Sequence, residues 1–275
     1  MTTRRIEVRQ FAIGGGGPLA VVAGPCVVED EGLMVEVATE LKRIAERLAL
    51  PFCFKASYDK ANRTSLQSFR GPGLAEGLKL LAAVKEQVGV PILSDVHEPG
   101  QVAAAAAVLD IIQVPAFLSR QTDLLAAAAD TGKPVNIKKS QLMAPWDMKA
   151  AVGKLTGRGN ESVILTERGS SFGYNNLVVD MRGLPIMRAL GYPVLFDATH
   201  AVQRPAGAGS ASSGERQFVP VLARAAVAAG VDGVFLEVHP DPDHAPCDGP
   251  NMLPLAEVEG LLRVLQEIHG VGSDE

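Results

Sequence analysis

Residues 111–139, IIQVPAFLSRQTDLLAAAADTGKPVNIKK, read as strand, helix, strand. Two short apolar runs, Ile111–Pro115 and Pro134–Lys139, flank a helix candidate at Asp123–Thr131. The same alternation extends in both directions. Further strand candidates are Leu19–Gly24, Pro51–Ser57, Pro91–Asp95, Val163–Glu167, Pro193–Asp197 and Gly233–Val238. Helix candidates between them are Glu31–Leu48, Leu74–Val88, Trp146–Gly157, Phe218–Ala229 and Leu255–His269. Eight strands interleaved with helices predict a closed parallel (β/α)8 barrel, a TIM barrel of the α/β class, with residues 1–275 as one catalytic domain. The competing architecture is an open doubly wound sheet, but Ala23-Gly24-Pro25-Cys26 after the first strand is not the Gly-rich nucleotide turn of such folds. Arg4–Val8 and Phe11–Ile13 read as an N-terminal β-hairpin closing the bottom of the barrel, and the Gly/Ala/Ser run 206–214 as a loop and candidate lid.

The composition agrees with one large globular unit. Hydrophobic residues make up 47% and charged residues 21%, enough for a sizeable core. The net charge of -5, from 26 basic and 31 acidic residues, argues against a nucleic-acid partner. It leaves room for anionic small substrates, since a few cations can converge in one pocket of an acidic protein. Phe11–Ile13 is too short for a signal core, and no apolar run reaches membrane-spanning length, so a cytoplasmic protein with no membrane partner is expected. The three cysteines, Cys26, Cys53 and Cys247, fit a reducing compartment; Cys53 and Cys247 read as packing or loop residues.

In such a barrel the active site lies at the C-terminal ends of the strands, and period-2 alternation says which side chains point inward. Phe52 and Phe54 then face the helices, and Cys53, Lys55 and Ser57 face the interior. Val135 and Ile137 face out, Asn136 and Lys138 face in, and Lys139 points away. The other strand ends offer Asp95 and His97, Gln113, Thr166 to Arg168, Asp197 to His200, and Glu237 with His239. Interior lysine is costly unless paired or bound to an anion. Lys55, Lys60, Arg63, Lys138 and Arg168 could each be a structural ion pair, yet together they point to a substrate carrying phosphate or carboxylate.

The first, seventh and eighth strands are neighbours in a closed barrel. Cys26, His200, Glu237 and Asp248 can therefore converge at one side of the mouth, a mixed S/N/O set suited to a divalent transition metal such as Zn, Fe or Mn. Packing remains the alternative for each, since the four are scattered and no compact ligand spacing exists. His97, His239, His244 and His269 compete as ligands.

Taken together, Ala23-Gly24-Pro25-Cys26, Phe54 to Ser65, Ser94 to Glu98, Gln113 to Leu118, Asn136 to Lys139, Thr166 to Gly169, Phe196 to Gln203 and Cys247 to Pro250 resemble the 3-deoxy-D-manno-octulosonate 8-phosphate synthases over nearly the whole chain. The resemblance implies an enzyme of lipopolysaccharide precursor synthesis that condenses phosphoenolpyruvate with D-arabinose 5-phosphate, without an organic cofactor. It implies that Lys55, Lys60, Gln113, Lys138 and Arg168 cradle phosphoenolpyruvate. Asn62, Arg63 and Ser65 would bind the sugar phosphate, and Asp95, Ser57 and Gln203 complete the substrate contacts. Catalytic roles fall to Lys60, Lys138, His200 and Asp248, and Cys26, His200, Glu237 and Asp248 match the ligands of the metal-dependent branch. Cys-Asp-Gly-Pro at 247–250 is common in the metal-independent branch, which has asparagine where Cys26 stands. A homotetramer is also implied.

Three rivals remain. The sister synthases using erythrose 4-phosphate usually carry Lys-Pro-Arg-Thr-Ser where this chain has Lys60-Ala61-Asn62-Arg63-Thr64-Ser65; the extra residue and Asn62 favour the five-carbon sugar. Lys138 could instead be the nucleophile of a Schiff-base aldolase. Finally, a silent barrel could merely bind sugar phosphates.

Overall fold

The structure, a computed structural model, describes residues 2–63, 65–205 and 213–272. Eight parallel strands form the barrel: β1 (Ala20–Gly24), β2 (Phe52–Lys55), β3 (Ile92–Asp95), β4 (Ile111–Val114), β5 (Val135–Lys138), β6 (Val163–Glu167), β7 (Val194–Asp197) and β8 (Gly233–His239). Each pairs with the next, and β8 pairs with both β7 and β1, so the sheet closes on itself. The helices are α1 (Glu31–Arg47), α2 (Leu74–Val88), α3 (Pro99–Val108), α4 (Thr122–Asp130), α5 (Met148–Thr156), α6 (Gly183–Arg188), α7 (Val219–Ala228) and α8 (Val258–Gly272). The barrel expected from the sequence is thus the fold observed.

Every barrel strand is buried along its whole length, as expected where helices cover one face and a filled interior the other. Alternation sorts the two faces. Phe52, Phe54, Val135, Ile137, Val194 and Phe196 pack outward into the helix layer. Helix α1 meets them with Met34, Val37, Leu41 and Ile44, and starts where the Asp30 carboxylate accepts a hydrogen bond from Leu33 N at 3.0 Å. Inward, Val22, Cys53, Leu93, Ile111, Ile164, Leu195 and Phe235 form an apolar floor.

The N-terminal hairpin, Arg5–Val8 paired antiparallel with Phe11–Gly14, inserts Ile6, Val8 and Ile13 into that floor. It closes the bottom as expected. The apolar lower interior and the polar ends of the same strands leave one end of the barrel for chemistry. Two helices absent from the sequence reading are α3, whose run of alanines carries little periodicity, and the six-residue α6, which holds Pro185 in its first turn. The Trp146–Gly157 and Leu255–His269 helices each begin with a 3-10 turn, Pro145–Asp147 and Leu255–Glu257. Of the expected lid, 206–212 lies outside the described residues; Ser213–Gly214 pairs with Gln203–Arg204.

Candidate active site

Above the floor, inward side chains change from apolar to polar. Asn136 donates to Gln113 Oε1 at 3.2 Å, and Thr166 Oγ1 donates to Asn136 Oδ1 at 2.7 Å. Neighbouring strands are thereby tied beneath a cavity of about 440 Å³ at the C-terminal mouth. Lys55, Ser57, Lys60, Asn62, Arg63, Asp95, Gln113, Lys138, Arg168, His200, Gln203 and Asp248 all line it. Ser65 does not: its Oγ accepts from Gln67 N at 3.2 Å, capping a local turn, and Ser68 and Phe69 reach the cavity instead. Ser65 thus sits beside the cavity, on the same segment as Asn62 and Arg63. Phe117, His97 and Cys247 also line the cavity.

The cations are held by carboxylates at the strand ends. Lys138 Nζ donates to Asp197 Oδ2 at 2.5 Å and stands 3.9 Å from the Phe235 ring centre. Burial pushes the Lys138 ammonium down from its ordinary pKa, only partly opposed by the Asp197 charge. The sequence offers Asp197 only as a strand-end residue. In the structure its Oδ1 also accepts from Thr199 Oγ1 and His200 N, and its Oδ2 lies 2.8 Å from His200 Nδ1. One carboxylate thus fixes both Lys138 and His200.

Glu237 is fully buried. Its Oε1 accepts from Lys55 Nζ at 2.6 Å and from Lys60 Nζ at 3.4 Å. Burial opposes its charge, but the surrounding lysines, Lys55 first, hold its carboxyl well below the ordinary value. Burial likewise works against the Lys60 ammonium, but the acidic groups around it, Glu237 among them, outweigh it and raise its pKa, so Lys60 stays a cation. Arg168 donates to Gln203 Oε1 at 2.9 Å, while its Nη1 is buried with no partner among the described residues, as is Arg63 Nε. Such donors suit an anion. Asp95 is ion-paired with His97 Nε2 at 2.8 Å. Burial again opposes the Asp95 charge, but the His97 contact and the lysines hold its carboxyl far below the usual range.

Behind the cations, Cys26, Glu237 and Asp248 bring one ligand atom each to within 4.8 Å of one another, all buried. Neighbouring registry explains this: Glu237 on β8 is paired with Gly24 on β1, two residues before Cys26. Asp248 adopts the left-handed region at φ 51° as the following turn begins, a conformation that aspartate tolerates. His200 Nε2 lies 3.7 Å from Glu237 Oε2 and 3.9 Å from Asp248 Oδ2, at the edge of the trio. The competing histidines are engaged elsewhere: His97 with Asp95, His239 with Glu29, His244 with Asp241, and His269 near Gly17 at the opposite end of the barrel. The donor set fits a divalent transition metal. Glu237 Oε2 is a buried oxygen without a hydrogen-bond partner among the described residues, facing a thiol, a second carboxylate and an imidazole. Lys139, by contrast, points away, donating to Ser140 O, Met143 O and Ser170 Oγ.

Among the described residues no helix is long and apolar enough to cross a membrane. Comparison with known proteins agrees with the geometry. The DAHP synthetase I family matches residues 3–271. The chain is 60% identical over 269 residues to the 2-dehydro-3-deoxyphosphooctonate aldolase of Geobacter sp. (strain M21), covering 98% of each chain. It is 58% identical to the protein of the same name from Trichlorobacter lovleyi, covering 98% of this chain and 99% of that one. A barrel with this mouth, matched over nearly its full length, belongs to the DAHP synthetase I family and, within it, to the 2-dehydro-3-deoxyphosphooctonate aldolase enzymes.

Proposed function

We propose that this cavity condenses phosphoenolpyruvate with D-arabinose 5-phosphate, yielding 3-deoxy-D-manno-octulosonate 8-phosphate and inorganic phosphate for lipopolysaccharide synthesis. The observation that carries the reading is the convergence of Lys55, Lys60, Arg63, Lys138 and Arg168 on one cavity at the strand C-termini. No small neutral substrate needs so many cations, whereas two phosphates and a carboxylate do.

Carbon three of phosphoenolpyruvate attacks the aldehyde carbon, water adds to carbon two, and phosphate leaves with cleavage of its C–O bond. Lys138, Arg168 and Lys60 bind the phosphate and carboxylate of phosphoenolpyruvate, with Gln113 beside them. Arg168 Nη1 supplies a directed donor, and Lys55 retains donor capacity beyond Glu237 and Cys26 O. Arg63 and Asn62 hold the sugar phosphate, Ser57 and Gln203 line its path, and Asp95 accepts from a sugar hydroxyl. Lys60 Nζ donates a proton to the aldehyde oxygen as it becomes a hydroxyl, and His200 and Asp248 stand where the proton of the attacking water must go. Fixed charges that need no reorganisation stabilise the developing charge.

Cys26, His200, Glu237 and Asp248 would hold a divalent transition metal, as in the metal-dependent branch. When bound it supplies Lewis-acid polarisation of the aldehyde or of the water. We take the whole chain to act as one cytoplasmic catalytic domain and to assemble as a homotetramer.

A Schiff-base aldolase has one observation in its favour, the burial of Lys138, which disfavours its charged form. Its ion pair with Asp197 opposes the free amine such chemistry needs. Incubation with phosphoenolpyruvate and each aldehyde, followed by mass analysis, separates these readings. An eight-carbon sugar acid phosphate is expected from arabinose 5-phosphate; preferential use of erythrose 4-phosphate, or a borohydride-trapped adduct on Lys138, would overturn the assignment.

A further inference from the structure

Cys247 takes no part in the chemistry above, yet its Sγ lies 2.9 Å from Cys26 Sγ. The two sulfurs arrive from loops after β8 and β1, strands paired along their length. A disulfide holds its sulfurs about 2.0 Å apart, so closure requires a movement of roughly 0.9 Å. Val27 and Met252 pack around the pair and keep it buried. Access is one-sided: Cys247 lines the cavity, whereas Cys26 stands behind it at 1% exposure. Cys53 is in a different position, sealed in the apolar floor beneath.

We propose that Cys26 and Cys247 are a peroxide-reactive pair whose disulfide form removes Cys26 from the metal donor set. Hydrogen peroxide entering the cavity meets Cys247 first. The sulfur attacks the outer peroxide oxygen, the O–O bond breaks, and Cys247 becomes a sulfenic acid with release of water. Cys26 Sγ then attacks that sulfur, the S–O bond breaks, and a second water leaves. Overall two thiols and one hydrogen peroxide give one disulfide and two waters. The product has no Cys26 thiolate to offer, so metal binding and oxidation exclude one another. The effect on metal rests on the proposed donor set; formation of the disulfide does not.

The test uses the intact protein stripped of metal, exposed to stoichiometric hydrogen peroxide, alkylated and digested without reduction. The expected result is a Cys26 peptide joined to a Cys247 peptide with the loss of two hydrogens, while Cys53 remains an alkylatable thiol. Zinc uptake by the oxidised protein should be lost and return after dithiothreitol, and prior loading with zinc should slow cross-linking. Persistence of both thiols, or their separate conversion to sulfinic acids, would overturn the pair. Cross-linking with zinc uptake intact would instead refute Cys26 as a metal donor and leave the disulfide standing.

Discussion

Asp197 shows how much of this site depends on carboxylates that hold other side chains in place. It holds Lys138 on one side and His200 on the other, so the buried ammonium and the imidazole beside Glu237 share one anchor. Inward alternation made Asp197 legible in the sequence as a strand-end residue, but nothing there indicated that two functional groups would meet on it. Ser65 differs: its motif groups it with Asn62 and Arg63, and its hydroxyl also caps a local turn. The sequence offers Cys247 only as a packing or loop residue, and it lies 221 positions from Cys26.

Three outcomes are expected from single side chains. Cys26→Ala should lose most activity together with bound metal, measured by elemental analysis of the purified variant; full metal content would remove Cys26 from the donor set. Arg63→Ala deletes the proposed charge-assisted contact to the sugar phosphate, worth about 1.5–3 kcal/mol. It should raise KM for the sugar phosphate about 10- to 100-fold while leaving KM for phosphoenolpyruvate nearly unchanged. The His97–Asp95 pair sets a pH dependence of stability. Burial works against the His97 imidazolium, but the hydrogen bond and charge of Asp95 win, so its folded pKa is raised from 6.5. That contribution is full below 6.5 and lost as pH rises through the folded value. Urea unfolding of the wild type should weaken across that alkaline window more than that of His97→Asn; parallel curves would show that the pair contributes nothing.

Among the elements, the strands were the most legible, because a barrel strand must be apolar outward for its helix and inward for the floor. Phe52, Cys53, Phe54 and Lys55 carry that logic in four consecutive residues. Helix α3 was illegible because five consecutive alanines, 103 to 107, give no apolar stripe, although Pro99 starts it and β3 and β4 require a crossover there. The N-terminal hairpin is a structural plug, with Ile13 fully buried against the floor. Ile13→Ala should cost about 2–5 kcal/mol in urea unfolding. Its effect should fall on stability, with KM values unchanged at low temperature; an unaltered midpoint would mean that the hairpin is dispensable to the barrel.

The molecule as a unit carries an asymmetric surface. Leu66, Phe117, Leu142, Trp146, Phe172 and Tyr174 are exposed on the connections that follow β2, β4, β5 and β6, and apolar side chains gathered around a mouth suit contact with further copies of the chain. Sedimentation should give four times the chain mass, and Trp146→Glu with Phe172→Glu should shift it downward; a monomeric wild type would end the proposed assembly. The charge of the chain is also informative as a whole: a net -5 coexists with a cationic cavity in which Lys55, Lys60, Lys138 and Arg63 are paired with buried carboxylates and Arg168 with Gln203.

Phosphate release from phosphoenolpyruvate and arabinose 5-phosphate, followed before chelation, after it and after metal is restored, bears most directly on the proposed chemistry. Release that depends on arabinose 5-phosphate, disappears on stripping and returns with a divalent transition metal is the predicted result. No release with arabinose 5-phosphate under any metal condition would contradict the proposed condensation, and release that persists unchanged in stripped protein would contradict the metal at Cys26, His200, Glu237 and Asp248.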